Sequence, residues 1–230
     1  MHILDIRVDN FSKEELLAKV SGFLNEPKFH QIVTINPEFV LAAQKDEVFR
    51  DILNDCDLNV ADGFGLNIAL WKRGERLKYR MAGADLMDEI LKIAKAQKLH
   101  VFVAIKQGGL SSFDGVKRAL EAKFEGLGVS GTDLPTNTQN YPIDNSVILL
   151  CNFGAPEQEK FINTLKSDTI RLAIGVGGGF DFLTGKLKRA PLWMRRMGLE
   201  WLFRLIQQPK RIGRIWNAVV VFPIKLLFSK

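Results

Sequence analysis

"QIVTINPEFVLAAQKDEVFRDILNDCDLNVADGFGL", residues 31–66, passes from one pattern to another and back. Gln31 to Ile35 is a compact, mostly apolar run of strand length. Asn36-Pro37 follows, an N-cap type before a residue suited to the first helical position. The spacing then predicts one helix over 37–53. Leu58 to Ala61 is a second short strand, and it ends at Asp62, with Gly63 and Gly65 just behind. A strand, a helix and a strand joined this tightly make a parallel crossover unit.

The alternation continues on both sides. "HILDIRV" (2–8) reads as a first strand. Ser12 and Glu15 have capping-box spacing, with Leu16, Val20, Phe23 and Leu24 behind them at helical intervals. Strands are predicted at "HVFVAI" (100–105), "SVILLCNF" (146–153) and "RLAIGVGG" (171–178). Helices are predicted around 84–97, around 112–124, and through Phe161, Ile162 and Leu165. Nearly continuous apolar strands imply a sheet covered on both faces. The expected fold is α/β: a doubly wound, mostly parallel, Rossmann-like sheet over residues 1–190, with a helical basic C-terminal appendage over 191–230.

Charge supports that division. From Lys186 to Lys230 there are eleven Lys or Arg and a single acid, Glu200. The preceding 185 residues hold 21 bases and 25 acids, within a chain of net charge +6. Trp193, Trp201, Phe203 and Trp216 are interleaved with the tail's cations, the composition of a helix lying in a membrane interface. The alternative is a tail folded onto the body with a solvated basic face. "IWNAVVVFPIKLLF" is too short and too interrupted to span a bilayer. With no signal peptide visible at the N-terminus and two cysteines, Cys56 and Cys151, reading as core residues, the expectation is a cytoplasmic protein, peripheral on the inner face of the membrane. No nucleic-acid-binding motif is present, and homo-oligomerisation is left open.

In a doubly wound sheet, ligands gather beyond the carboxyl ends of the strands. That rim holds Thr34, Asn36, Asp62 to Gly65, Asn152 to Gln158 and Gly175 to Asp181. "GVGGGFDFLTGK" (175–186) fails the phosphate-loop pattern, because position 180 is Phe and Leu187 follows Lys186; it fails the dinucleotide fingerprint for the same Phe180. His2, His30 and His100 lack metal-ligand spacing. Asp55-Cys56-Asp57 has the D-x-D form of metal-holding sugar transferases, but it precedes a strand rather than following one and reads as a solvated turn. For Asp62 the residues alone leave open a general base and a turn residue.

Five blocks in order, "TINPEF", "VADGFG", "RMAGADL", "FGAPEQEKFI" and "GVGGGFDFLTGKLKRAPLWMRRMGLEWLFRL", closely resemble the WecG/TagA/CpsF family of bacterial glycosyltransferases, glycosyltransferase family 26. The resemblance implies inverting transfer of an N-acetylmannosamine-type sugar from a UDP donor to a polyprenyl-diphosphate-linked sugar. It implies no metal and no cofactor beyond the UDP-sugar substrate. It favours Asp62 as the base, with Gly63 admitting the sugar. Arg80 becomes a fixed cation for the departing diphosphate, since guanidinium engages phosphate bidentately. Thr34, Asn36 and Gln158 become contacts to the nucleotide or sugar. Arg204, Arg211 and Arg214 of the tail become cations closing over the site. Two rivals stay open: a metal-dependent nucleotide-sugar transferase, and a non-catalytic adaptor on an anionic membrane surface with a vestigial sugar pocket.

Overall fold

The structure, a computed structural model, describes residues 1–71, 74–138, 145–165 and 167–228. The chain begins with β1 (His2–Ile3), β2 (Ile6–Arg7) and α1 (Lys13–Asn25). The crossover unit follows: β3 (His30–Ile35), α2 (Pro37–Ala43), α3 (Glu47–Asp55), β4 (Leu58–Ala61) and α4 (Gly65–Trp71). Next come α5 (Gly83–Ala96), β5 (Val101–Lys106), α6 (Phe113–Lys123) and β6 (Val129–Leu134). β7 (Ile148–Cys151), α7 (Glu157–Asn163), β8 (Leu172–Gly175) and α8 (Gly179–Leu183) complete the body. The tail holds α9 (Leu192–Arg196), α10 (Glu200–Gln207), a 3-10 turn (Pro209–Arg211), α11 (Ile212–Trp216), a π-wound turn (Asn217–Val221) and α12 (Phe222–Phe228).

β3 to β8 form one six-stranded sheet in the order β4-β3-β8-β7-β5-β6, with every neighbouring pair parallel. The chain winds outward from β3 to β4, crosses to β5 and β6, and returns to fill the centre with β7 and β8. Side chains alternate along each strand. Ile32, Val60, Val103, Leu150 and Ile174 face a core made with α1, α5, α6 and α8. Val33, Ile35 and Ala61 face α2, α3 and α4 on the other side. Phe102, Leu149 and Ala173 face α7 there. Burial on both faces is why the strands carry no polar alternation.

Four local expectations are corrected. The run 2–8 is a hairpin rather than one strand: Leu4 and Asp5 take positive φ, 46° and 64°, and pair His2 with Arg7. The single helix expected over 37–53 is broken at Asp46, whose carboxylate caps α3 by accepting from the Phe49 amide at 3.0 Å. Asp side chains that compete for backbone donors end helices in this way. β7 is confined to Ile148–Cys151, shorter than the run 146–153, and Leu165 lies just beyond α7. β6 and α4 were not expected at all.

The tail packs on the body through one face. Phe222 is fully buried among residues of α2 and α4, with Leu226 beside it. Pro223 has no N–H to give, and the wider π turn directly before it accommodates that loss. Leu192, Trp193, Met197, Ile206, Ile212 and Trp216 face outward. Among the described residues, no helix is long and apolar enough to cross a membrane.

Candidate active site

A cavity of about 570 Å³ opens at the carboxyl ends of the strands, between the sheet and the tail. Thr34, Asn36, Asp62, Gly63, Arg80, Gln158, Arg204, Arg211 and Arg214 all line it. Residues from the ends of β3, β4, β5, β7 and β8 and from the tail therefore meet in one place.

Asp62 stands one residue past β4. Its amide donates to the Ile35 carbonyl at 2.7 Å, continuing the ladder to β3, so its backbone is fixed by the sheet. Gly63 then turns with φ +88°, a conformation side chains disfavour. The Asp62 Oδ2 accepts from the Gly83 amide at 3.3 Å. Burial pushes the carboxyl up to about 6. The Gly83 amide works against that rise, the Glu200 charge adds to it, and Arg80 and the Gly63 amide oppose it. An Asp held near neutrality, yet ionisable, suits proton abstraction.

Thr34 and Asn36 end β3. Asn36 Oδ1 accepts from the amides of Glu38 and Phe39 at 2.9 and 3.1 Å, so its oxygen serves as the cap of α2. Gln158 is buried, and its amide is engaged at both ends. The oxygen accepts from Gly154 and Gly177 amides at 3.0 and 3.1 Å, and the nitrogen donates to Glu159 Oε1 at 2.6 Å. Gln158 thus ties the turn after β7 to the turn after β8, and its route to a ligand runs through those two glycines.

The cations come from two directions. Arg80 precedes Met81, whose amide bonds the Ala61 carbonyl and sets this segment beside Asp62; its Nη2 donates to the Arg195 carbonyl of α9 at 3.2 Å. Arg204 of α10 lies over the Phe182 ring, its guanidinium carbon 5.1 Å from the centroid. Its Nη2 lies 2.2 Å from where a Cβ on Gly178 would sit, so any larger residue there would displace the guanidinium. Its buried Nε has no hydrogen-bond partner among the described residues. Desolvation lowers the Arg204 pKa, and the charge of Arg214 deepens the fall. Arg211 is pushed down to about 10 by burial and by Arg204 and Arg214. Arg214 pairs with Glu38 through two guanidinium nitrogens, at 2.6 and 2.5 Å. Arg204 and Arg211, whose charged forms burial and their neighbours disfavour, would be stabilised by an anion in this cleft, whereas Arg214 already holds Glu38.

Residues that sequence reasoning passed over complete the walls. Arg189 holds Asp85 of α5 bidentately and approaches Glu200 at 3.9 Å, latching the start of the tail to the body. Glu200 and Trp201 line the cavity. Glu200 has a signal in the sequence, being the lone acid of the tail; Trp201 has none that separates it from the other aromatics interleaved with the tail's cations. Asp181, which also lines the cavity, accepts from Ser111 Oγ at 2.8 Å. Asp57 of the D-x-D run sits at the opposite end of β4, where it binds His30 Nδ1 and the Gln31 amide at 2.9 Å each. His30 is therefore a core residue held between Asp57 and Glu26.

Comparison with known proteins places the chain among transferases. The model described as "Glycosyl transferase WecG/TagA/CpsF family" matches residues 1–230. A Bacillus subtilis protein named N-acetylglucosaminyldiphosphoundecaprenol N-acetyl-beta-D-mannosaminyltransferase is 31% identical over 199 residues, covering 84% of this chain and 75% of its own. A Staphylococcus aureus (strain MRSA252) protein of the same name is 28% identical over 239 residues, covering 99% of this chain and 92% of its own.

Proposed function

The chain belongs to the WecG/TagA/CpsF family of glycosyl transferases, and from that premise we propose that it moves an N-acetylmannosamine-type sugar from UDP to a polyprenyl-diphosphate-linked sugar, with inversion. The acceptor class follows the names of its relatives. In this reading the acceptor hydroxyl attacks the anomeric carbon as its proton passes to the Asp62 carboxylate. The bond from that carbon to the UDP oxygen breaks on the opposite side, and the departing diphosphate collects its countercharge from Arg80, Arg204, Arg211 and Arg214. Fixed guanidinium groups in a water-poor cleft stabilise developing charge without reorganising, so no metal is required of this scheme. Gly63 admits the sugar, while Thr34, Asn36 and the glycine turns held by Gln158 frame the donor.

Residues 1–190 act as the catalytic body and 191–230 as an appendage that closes the cavity and rests on an anionic membrane surface at the cytoplasmic face. The outward tryptophans and the tail's net charge support that placement, each engaged Lys or Arg contributing about 1 kcal/mol near such a surface. The product would serve a surface polysaccharide or a teichoic-acid-like polymer.

One observation carries the reading: Asp62 from a strand end and the tail's arginines line the same cavity. The test is a panel of UDP-sugars incubated with a short-chain lipid diphosphate bearing N-acetylglucosamine, with UDP release followed with and without EDTA. UDP-N-acetylmannosamine should give acceptor-dependent release that EDTA leaves unchanged. Release abolished by EDTA would overturn the metal-free scheme, and absence of release from every donor would overturn the transferase reading.

A further inference from the structure

Glu159 is the most deeply buried acid among the described residues, and it stands behind the cavity wall rather than in it. The next residue, Lys160, is no partner to it, since its ammonium pairs with Asp46 of α3. Burial holds the Glu159 carboxyl well above the usual carboxylate range. A side chain kept for packing alone would be apolar here. A buried carboxyl with one oxygen unpartnered among the described residues is costly to keep.

What the carboxyl touches is the Gln158 amide, whose nitrogen donates to Glu159 Oε1 at 2.6 Å. That contact decides which way the amide faces. With its nitrogen on the carboxyl, its oxygen accepts from the Gly154 and Gly177 amides at 3.0 and 3.1 Å. Reversed, it would set its own N–H groups against two backbone N–H groups. The backbone is shaped around the pair. Gly154 and Gly177 take φ +85° and +47°. A Cβ on Gly175, the last residue of β8, would lie 2.2 Å from Gln158 Nε2 and 2.7 Å from Glu159 Oε1. The Glu159 carbonyl also accepts from Gln31 Nε2 of β3 at 3.3 Å, which fixes it against a third strand. Gly154, Gly175 and Gly177 all line the cavity, so this bonded cluster sets the wall that a ligand meets. We propose that Glu159 is a positioning residue for the donor: by orienting the Gln158 amide, it holds the turns after β7 and β8 at the spacing the nucleotide requires. The inference rests on the UDP donor proposed above.

The experiment compares Glu159→Leu, which removes the acceptor, with Glu159→Gln, which keeps a carbonyl oxygen at the same reach. Calorimetry on the whole chain gives the Kd and stoichiometry for UDP, and UDP release gives KM for donor and acceptor. Glu159→Leu should weaken UDP binding and raise the donor KM about tenfold, the scale of one buried hydrogen bond, and leave the acceptor KM alone. Glu159→Gln should match the parent in all three. A residue that only supports the fold would lower kcat and the stoichiometry through loss of folded protein, with Kd and donor KM at the parent's values; that result would overturn the proposal. So would a Glu159→Gln as weak as Glu159→Leu. If Glu159→Leu does not fold, the unbranched Glu159→Met replaces it, and failure of both to fold would overturn the proposal equally. Weakened UDP binding in a protein that transfers no sugar would count against the proposed reaction alone. Unchanged UDP affinity in a variant whose parent transfers would count against Glu159 alone, and a parent that binds no UDP would overturn both.

Discussion

At the scale of a residue, the carboxyl of Asp62 is set by opposed neighbours. Burial and the charge of Glu200 raise it, while the Gly83 amide and Arg80 hold it down, leaving it at about 6. A base must be ionised to act, so kcat/KM should fall as pH drops through about 6 and level off above it. Glu200→Gln removes a raising charge and should move that limb to lower pH. Asp62→Asn should keep UDP binding and lose about 10² to 10⁴ in turnover. A limb that Glu200→Gln leaves in place would mean another group titrates. Asp62 was legible in the sequence because a buried run ends on it and glycines follow. Its partner Glu200 was not, because they meet only through the return of the tail, which no local pattern encodes.

At the scale of an element, α7 carries a second buried acid. Glu159 is 1% exposed and burial pushes it up to about 8, against the hydrogen bond it accepts from Gln158; its other oxygen has no partner among the described residues. Its folded pKa lies above the unfolded value, so the stability it contributes is complete below about pH 4 and is lost as pH rises towards 8, at most about 1.4 kcal/mol per unit. Glu159→Gln should flatten that decline in Tm measured from pH 5 to 8.5; parallel curves for parent and variant would contradict the assignment. The central strands were legible because both their faces are buried. β6 was not, since Ser130, Gly131, Thr132 and Asp133 give an edge strand no apolar run. The break between α2 and α3 was hidden because Asp46 reads as an ordinary helical surface residue until it caps α3 and pairs with Lys160 of α7.

At the scale of the whole molecule, an acidic body and a basic tail are joined by apolar burial at Phe222 and Leu226 and by the Arg195–Asp85 and Arg214–Glu38 pairs. Composition revealed the asymmetry and the interleaved aromatics. It did not reveal which way each aromatic turns, because the turns at Gly198 and Pro209 break the helical phase: Trp193 and Trp216 are 58% and 56% exposed, whereas Trp201 lines the cavity. The central claim is that body and tail form one catalytic site, and Arg204 tests it most directly. It stacks on Phe182 of the body, its Nε has no partner among the described residues, and it faces the cavity that Asp62 shares. Arg204→Met keeps much of the apolar stem and removes the charge. Turnover of this variant on a water-soluble acceptor, without membranes and at unchanged Tm, should fall about 10²- to 10³-fold, the effect of losing one fixed stabiliser of developing charge; turnover equal to the parent's would contradict the account.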